Sequence, residues 1–355
     1  MKIVEQLSTY ALYFPILVVV LAVFGSLSLL DAQTNVSDDD MPLITAVQKR
    51  KVTNLNRETN ARIDRVARRD PRYAAYVKDL AKFKRLKDMK EIERLLPAFT
   101  AKYQDFRDDV MRKAKVNVKD YNLKLKKILP RIQLDDNGVM RKAENVSFLR
   151  PAPAAAGNSS PWLQNATYSI GRDTTQVFTS FPNKTTYQTC SQANTYYNGS
   201  GDVESYSHTN VDDNDCEKVR ASRGVKVNIP SGVQRVRIEI EIDQYHFYNS
   251  IACYGFVAYG YAYTSVGIRF HYRPSSLSFY KRHASGDAEW SVYGTNNSSK
   301  TVSNVVLSGT FYPYGAGEYD IQAFARTTVD TDGFAAATAD SEIDGISKIT
   351  VTLER

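Results

Sequence analysis

The sequence predicts an α+β chain built of successive parts: an N-terminal transmembrane helix, a basic helical segment, and a C-terminal antiparallel β-sandwich, jelly-roll or immunoglobulin-like. Three observations carry this. A 21-residue uncharged apolar run lies near the N-terminus, a helical period dominates from Leu43 to Ile132, and a period of two takes over after a Pro/Ala/Gly stretch. The parts divide as 1–32 anchor, 33–44 acidic collar, 45–150 helical stalk or packing domain, 151–161 linker and 162–355 β-domain.

The anchor is the run from Tyr10 to Leu30, apolar apart from Ser26 and Ser28. At about 1.5 Å per residue it spans roughly 30 Å, the thickness of a bilayer core. Pro15 falls in the first turns, where a missing N–H costs least. A cleaved signal peptide has an apolar core of about 7–15 residues, shorter than this one, and the small-residue cleavage sites here are poor. The expectation is therefore an uncleaved single-pass anchor in a lipid bilayer.

Charge is unevenly spread along the 355 residues, whose net value is +7. Residues 1–44 carry one basic side chain against five acidic, 45–150 carry 29 against 14, and 151–355 carry 16 against 20. Flanking charge favours the N-terminus inside only weakly. Sequons at Asn35, Asn145, Asn158, Asn165, Asn183, Asn198, Asn296 and Asn297 all follow the anchor, as do Cys190, Cys216 and Cys253. Together they predict an extracytoplasmic C-terminal bulk, with glycans in exposed loops. A Cys190–Cys216 disulfide would close a polar loop and add about 3 kcal/mol by restricting the unfolded chain. Cys253, in an apolar alternating run, reads as a buried free thiol.

In the basic segment, Ile44, Val47, Lys51, Leu55, Ile63 and Val66 fall near one helical stripe, ended by Asp70-Pro71. Tyr73, Tyr76, Val77, Leu80 and Phe83 continue on a second helix. Ile92, Leu96, Phe99, Tyr103, Phe106 and Val110 then follow a heptad spacing that Pro97 interrupts, so several packed helices are expected rather than one coiled coil. Val116, Val118, Leu123 and Leu125 hint at a short strand. Arg62, Arg65, Arg68, Arg69 and Arg72 recur at helical spacing, as a solvated face or as a face for anionic lipid or a cell-envelope polymer. Nucleic acid is the less favoured anionic partner, since it fits only if the segment faces a genome.

Beyond the linker the clearest strand is Val236-Arg-Ile238-Glu-Ile240-Glu-Ile242, apolar on one face and charged on the other. That alternation demands an antiparallel sheet with one buried face. Further strands are expected at Ile251–Tyr263, Val266–Tyr272, Thr301–Leu307, Tyr319–Thr327, Phe334–Ile343 and Ile346–Leu353. Tyr259, Tyr261 and Tyr263 share one strand face, as half of a sandwich core or as an aromatic platform for a glycan or partner. Gly317-Glu-Tyr319-Asp-Ile321 resembles the tyrosine corner of immunoglobulin-like domains, but the paired Cys and Trp of that family are missing.

Candidate chemistry is sparse. Asp330-Thr-Asp332-Gly333 reads as a hairpin turn; as the start of a calcium loop it lacks the bidentate Glu. Asp212, Asp213, Asp215 and Glu217 form an acidic loop able to hold a hard cation, so structural calcium is the one cofactor the sequence offers. His208, His246, His271 and His283 show no paired-ligand spacing, and no nucleophile, Walker or dinucleotide motif is present. The sequence thus predicts a non-enzymatic, membrane-anchored structural or surface protein. Its sandwich would contact protein neighbours or a receptor in an oligomeric cell envelope, or join a virion membrane to a shell. A carbohydrate-binding or hydrolytic module on a membrane stalk is the alternative.

Overall fold

The computed structural model describes residues 44–86, 88–142, 162–169, 176–182, 192–197, 202–210, 215–275 and 277–355. The expected anchor, most of the collar and the linker lie outside these residues. Among the described residues no helix is long and apolar enough to cross a membrane. Pro42–Arg355 form one compact unit, so the change of period at 151–161 does not part the helical segment from the sheet.

The helices are α1 (Ala46–Ala67), α2 (Tyr73–Phe83), α3 (Met89–Lys113) and α4 (Val118–Ile128). Three of the four starts have a side-chain cap. Thr45 and Gln48 form a reciprocal capping box on α1. The Asp88 carboxylate accepts from the Lys90 N–H, and the Asn117 side chain accepts from the Lys119 N–H. The Val116–Leu125 segment is thus a loop running into helix α4, not a strand: Asn117 caps it, and Tyr121 and Leu125 fall four residues apart on its buried face.

The heptad residues from Ile92 to Val110 are all buried on α3, and the helix runs straight through Pro97. Proline inside a helix costs about 3 kcal/mol. Here Pro97 faces solvent while Leu96 and Phe99 on either side of it are buried, so packing holds the helix on both sides of the proline. The stripe expected on α1 is displaced. Val47 is 61% exposed, and the buried positions are Val52, Asn56, Thr59, Ile63 and Ala67. Polar Asn56 is buried because it donates to Asp332 of the sheet beneath. Hydrophobicity alone could not have placed it there.

The strands are β1 (Trp162–Ser169), β2 (Gln176–Pro182), β3 (Gln192–Tyr197), β4 (Val203–Asn210), β5 (Asp215–Ile229), β6 (Arg235–Tyr272), β7 (Leu277–Ser291), β8 (Gly294–Phe311) and β9 (Gly317–Glu354). The expected strands from Val236 to Tyr272 merge into β6, and those from Tyr319 to Leu353 merge into β9. These two run antiparallel as a ribbon from Arg235↔Glu354 to Tyr272↔Tyr319. In its first half β6 is flanked by β8, and in its second half by β7. The other edge of β9 changes from β5 to β4 and β1 in step with it.

The changeover falls at the register shift between Cys253 and Ala258, opposite Gly333. Gly333 has φ +76°, left-handed backbone that glycine adopts without strain. Asp330-Thr-Asp332-Gly333 is therefore part of a continuing strand, paired in register with Tyr261 back to Ala258, and not a hairpin turn; the bulge beside it is in β6, where residues 254–257 face only Phe334. The extra residues of β6, opposite the left-handed Gly333, bend the ribbon without reversing it.

The bend lays one half of the ribbon on the other. Ile238, Ile240 and Phe247 of the first layer share a core with Ile268, Phe270 and Ile321 of the second. Phe270 lies 5.1 Å from Phe311 of the opposite layer, ring centroid to centroid. This antiparallel two-layer arrangement, with helices on one outer face, is the sandwich the alternation demands. Tyr319 forms the local bond of a tyrosine corner: its hydroxyl donates to the Gly315 carbonyl at 2.8 Å.

Candidate binding surface on the helical layer

The inner face of the helices is spent on the sheet. Tyr76 and Phe106 pack 5.1 and 5.8 Å from Phe256 of β6, and Phe83 lies 5.4 Å from Tyr254. Arg107 is fully buried among these rings. Its guanidinium sits 5.5, 5.1 and 4.5 Å from the centroids of Tyr76, Phe99 and Tyr293, and donates to the Tyr254 carbonyl at 2.5 Å. Lys49 pairs with Asp330 at 3.0 Å, and Thr53 and Asn56 both donate to Asp332. The two aspartates thus fasten α1 to the ribbon, which uses the carboxylates that a calcium loop would need.

The tyrosine row is covered. Tyr259, Tyr261 and Tyr263 are 1%, 3% and 5% exposed, so they form no open platform. They also lie outside the sandwich core. The Arg131 guanidinium lies 4.3 Å above the Tyr261 ring, donates to the Tyr259 hydroxyl and pairs with Glu289 at 3.0 Å. Tyr259 donates to the same carboxylate.

What remains for a partner on this layer is its outer face, and it is basic. Arg62, Arg65, Arg68, Arg69 and Arg72 are all exposed. Arg72 is committed: it pairs with Asp70 at 2.7 Å, which holds that carboxyl well below its usual range. Arg62, Arg65, Arg68 and Arg69 have no ion pair among the described residues. Exposed Lys124, Lys126 and Lys127 of α4 extend the same sign of charge.

The opposite charge collects on the sheet. Asp340, Glu342 and Asp344 alternate along β9, with Glu204 of β4 in register with Glu342. Burial, and then the Glu204 charge, push the Asp340 carboxyl up to about 7; burial, Asp344, Asp340 and Glu204 do the same for Glu342. The Asp340 Oδ1 accepts no hydrogen bond among the described residues.

Carboxyls raised in the folded state favour folding while protonated, so their contribution is lost as pH climbs from the ordinary carboxylate range through about 7. Asp340→Asn is therefore expected to stabilise by about 1–2 kcal/mol at about pH 8, with surface screening allowed for, and by almost nothing at about pH 4. Urea midpoints at the two pH values measure it; an equal gain at both removes the electrostatic cause.

The remaining candidates are placed as follows. Asn35, Asn145, Asn158, Asn183, Asn198, Cys190, Asp212 and Asp213 lie outside the described residues, as do the side chains of Asn165, Asp215, Cys216 and Glu217. The disulfide and the acidic loop therefore stay as sequence expectations. Asn296 is 2% exposed, and its Nδ2 donates to the Glu289 carbonyl at 2.9 Å, so it is no acceptor for a glycan. Asn297 is exposed. If the chain is expressed in a glycosylating host, peptide mass spectrometry should find sugar on Asn297 and none on Asn296.

Cys253 is a buried free thiol pushed up by burial. His208 bonds Thr338, and burial lowers its imidazole to about 4. No group of three His, Cys, Asp or Glu able to hold a metal occurs among the described residues.

Arg107, Arg131 and Glu289 escaped the sequence reading. Arg107 had a signal: Tyr103, Val110 and Met111 place it on the apolar face of its helix. The acidic row was also legible, since Asp340, Glu342 and Asp344 alternate at strand spacing.

No family model matches the sequence, and no curated protein matches it. Among solved structures, a mutant carbohydrate-binding module of family 29 aligns over 49% of this chain and 92% of its own, at 6% identity and TM-score 0.20. A Bacteroides thetaiotaomicron lipoprotein aligns over 61% of this chain and 100% of its own, at 9% identity and TM-score 0.15. A carbohydrate-binding module of the β-sandwich superfamily aligns over 61% of this chain and 71% of its own, at 11% identity and TM-score 0.13. Likenesses this slight carry no argument about function.

Proposed function

We propose that this chain is a membrane-tethered, non-enzymatic structural or surface protein. Residues 10–30 hold it in a bilayer, the sandwich is a rigid body that contacts protein neighbours outside the cytoplasm, and the helical layer meets an anionic surface. The observation that carries this reading is the division of labour in the helices. Their inner face is consumed by aromatic, Arg107 and aspartate contacts to the sheet, while their outer face keeps Arg62, Arg65, Arg68 and Arg69 free of ion pairs among the described residues. A solvated face needs no such excess of one sign. An anionic lipid or polymer surface does, because attraction sums over many weak contacts. The carbohydrate-module alternative loses its aromatic platform, since the tyrosine row is buried, with Arg131 over Tyr261.

Two measurements test the reading on the full chain. Membranes containing it should retain it through alkaline carbonate extraction. In neutral detergent it should be retained by mixed micelles containing phosphatidylglycerol, and released as salt rises. Extraction by carbonate, or equal retention by neutral and anionic micelles, overturns the respective half.

A further inference from the structure

The basic face is not uniform. Between α1 and α4 it sinks into a groove of about 470 Å³, lined among others by Arg62, Arg65, Thr59 and Lys124. A smaller depression of about 60 Å³ shares Arg62 and Lys124 and adds Lys115 and Asn117. We propose that this groove is a binding site for a phosphate group. The inference rests on the helical layer being an anion-facing surface, and it names where on that surface and for what chemistry.

Four cations from three segments converge here: Arg62 and Arg65, one helical turn apart on α1, Lys124 on α4, and Lys115 in the turn between α3 and α4. Glu58 and Asp120 also line the two depressions, which leaves the lining at a net +2. None of the four cations forms an ion pair with either carboxylate, and none is paired elsewhere among the described residues.

The backbone contributes as well. α3 ends with the Val116 N–H on the Met111 carbonyl and the Lys115 N–H on the Arg112 carbonyl. That is the pattern usually closed by glycine, but here Lys115 takes the left-handed position, with φ +54°. A cation therefore stands at the groove where this motif usually has no side chain. Asn117 caps α4, whose N-terminal turn lines the same depression and brings the positive end of its dipole.

Two guanidinium forks and two ammonium groups exceed what a single carboxylate can accept. A phosphate offers three or four oxygens in tetrahedral array, which suits donors arriving from several directions. The groove is open to solvent, so it admits a phosphate carried by a lipid headgroup or by a soluble polyanion.

Calorimetry on the full chain in neutral detergent tests the site, with inorganic tripolyphosphate and short-chain phosphatidylglycerol as probes. Saturable binding near one per chain is expected. Arg62→Glu with Lys124→Glu should weaken it by about tenfold or more, whereas Arg68→Glu with Arg69→Glu, on the same face outside the groove, should change it less than about threefold. All four positions are exposed, so folding should survive, and circular dichroism checks that. Tighter binding of the lipid identifies a headgroup site and tighter binding of tripolyphosphate a soluble one; both uphold the phosphate chemistry. Equal losses in the two double variants, or no saturable binding of either probe by the unaltered chain, overturn the groove. Retention on anionic micelles would stand even then, so the two readings fail separately.

Discussion

Replacing Arg107 with alanine should lower the stability of the folded unit by about 4 kcal/mol. The change opens a cavity at a fully buried position, removes a cation from among three aromatic rings, and removes a donor to the Tyr254 carbonyl. A desolvated cation–π contact contributes about 2 kcal/mol, and a hydrogen bond from a charged donor about 1.5–3 kcal/mol. Arg107→Met separates shape from charge. Methionine refills most of the volume, keeps favourable sulfur–ring contacts and removes a charge that has no carboxylate partner among the described residues, so its loss should be about 1–2 kcal/mol. Urea midpoints of the two variants decide the matter. Equal losses would mean that the rings do not hold the cation. Because Arg107 joins α3 to β6, helix signal in the far ultraviolet and tryptophan emission from Trp290 should move together.

The legible part of this fold was local. Asp70-Pro71 ended a helix where expected, because a proline needs no tertiary partner to stop one. The Ile92–Val110 heptad found the buried face of α3, since six apolar side chains outweigh anything beneath them. The Val236–Ile242 alternation found an antiparallel strand for the same reason. Reading failed where a distant residue decides. Asn56 and Thr59 sit on the buried face of α1 because Asp332, 276 residues beyond Asn56, accepts from Asn56. The segmentation of β6 and β9 failed differently. Gly333 and the aspartates before it carry turn chemistry, and turn chemistry does not distinguish a reversal from a strand that continues unless the partner strand is known. The exposed arginines were legible as a pattern, but whether they lined a flat face or a groove depended on where α4 would pack.

The charge layout follows from the same packing. Helices that must cover a broad apolar ribbon expend their apolar and aromatic side chains on one face. The surplus of cations then has only the other face to occupy. A mere need for solubility would be met as well by mixed signs. Asp79 shows what mixing looks like here: it gathers Lys82 and Lys102 at 2.6 and 2.7 Å. Around Arg62 and Lys124 no carboxylate does this, though Glu58 and Asp120 are close enough to line the same groove. Convergence of such unneutralised cations from three segments is the mark that separates the groove from the rest of the layer.

Replacing Arg131 with alanine should cost about 3 kcal/mol at about pH 8 and markedly less at about pH 5. Arg131 reaches from the segment after α4 to Glu289 of β7, and the two side chains are only 17% and 12% exposed. Burial raises the Glu289 carboxyl, while the Arg131 charge and the Tyr259 hydrogen bond pull it back. Without the guanidinium, burial acts with less opposition and the carboxyl rises further. A carboxyl raised above its unfolded value of about 4.3 favours folding when protonated, so stability is lost as pH climbs through the raised folded value. At low pH Glu289 becomes a neutral acid still bonded to Tyr259, and only the packing over Tyr261 and the lost hydrogen bonds remain as costs. At higher pH an ionised carboxylate is left buried without its partner, the situation that costs about 3–5 kcal/mol when one member of a buried pair is removed. The double variant Arg131→Ala with Glu289→Gln should recover much of the loss at about pH 8 and flatten the pH dependence. A loss that is independent of pH, or undiminished in the double variant, would make Arg131 a packing residue whose charge is incidental.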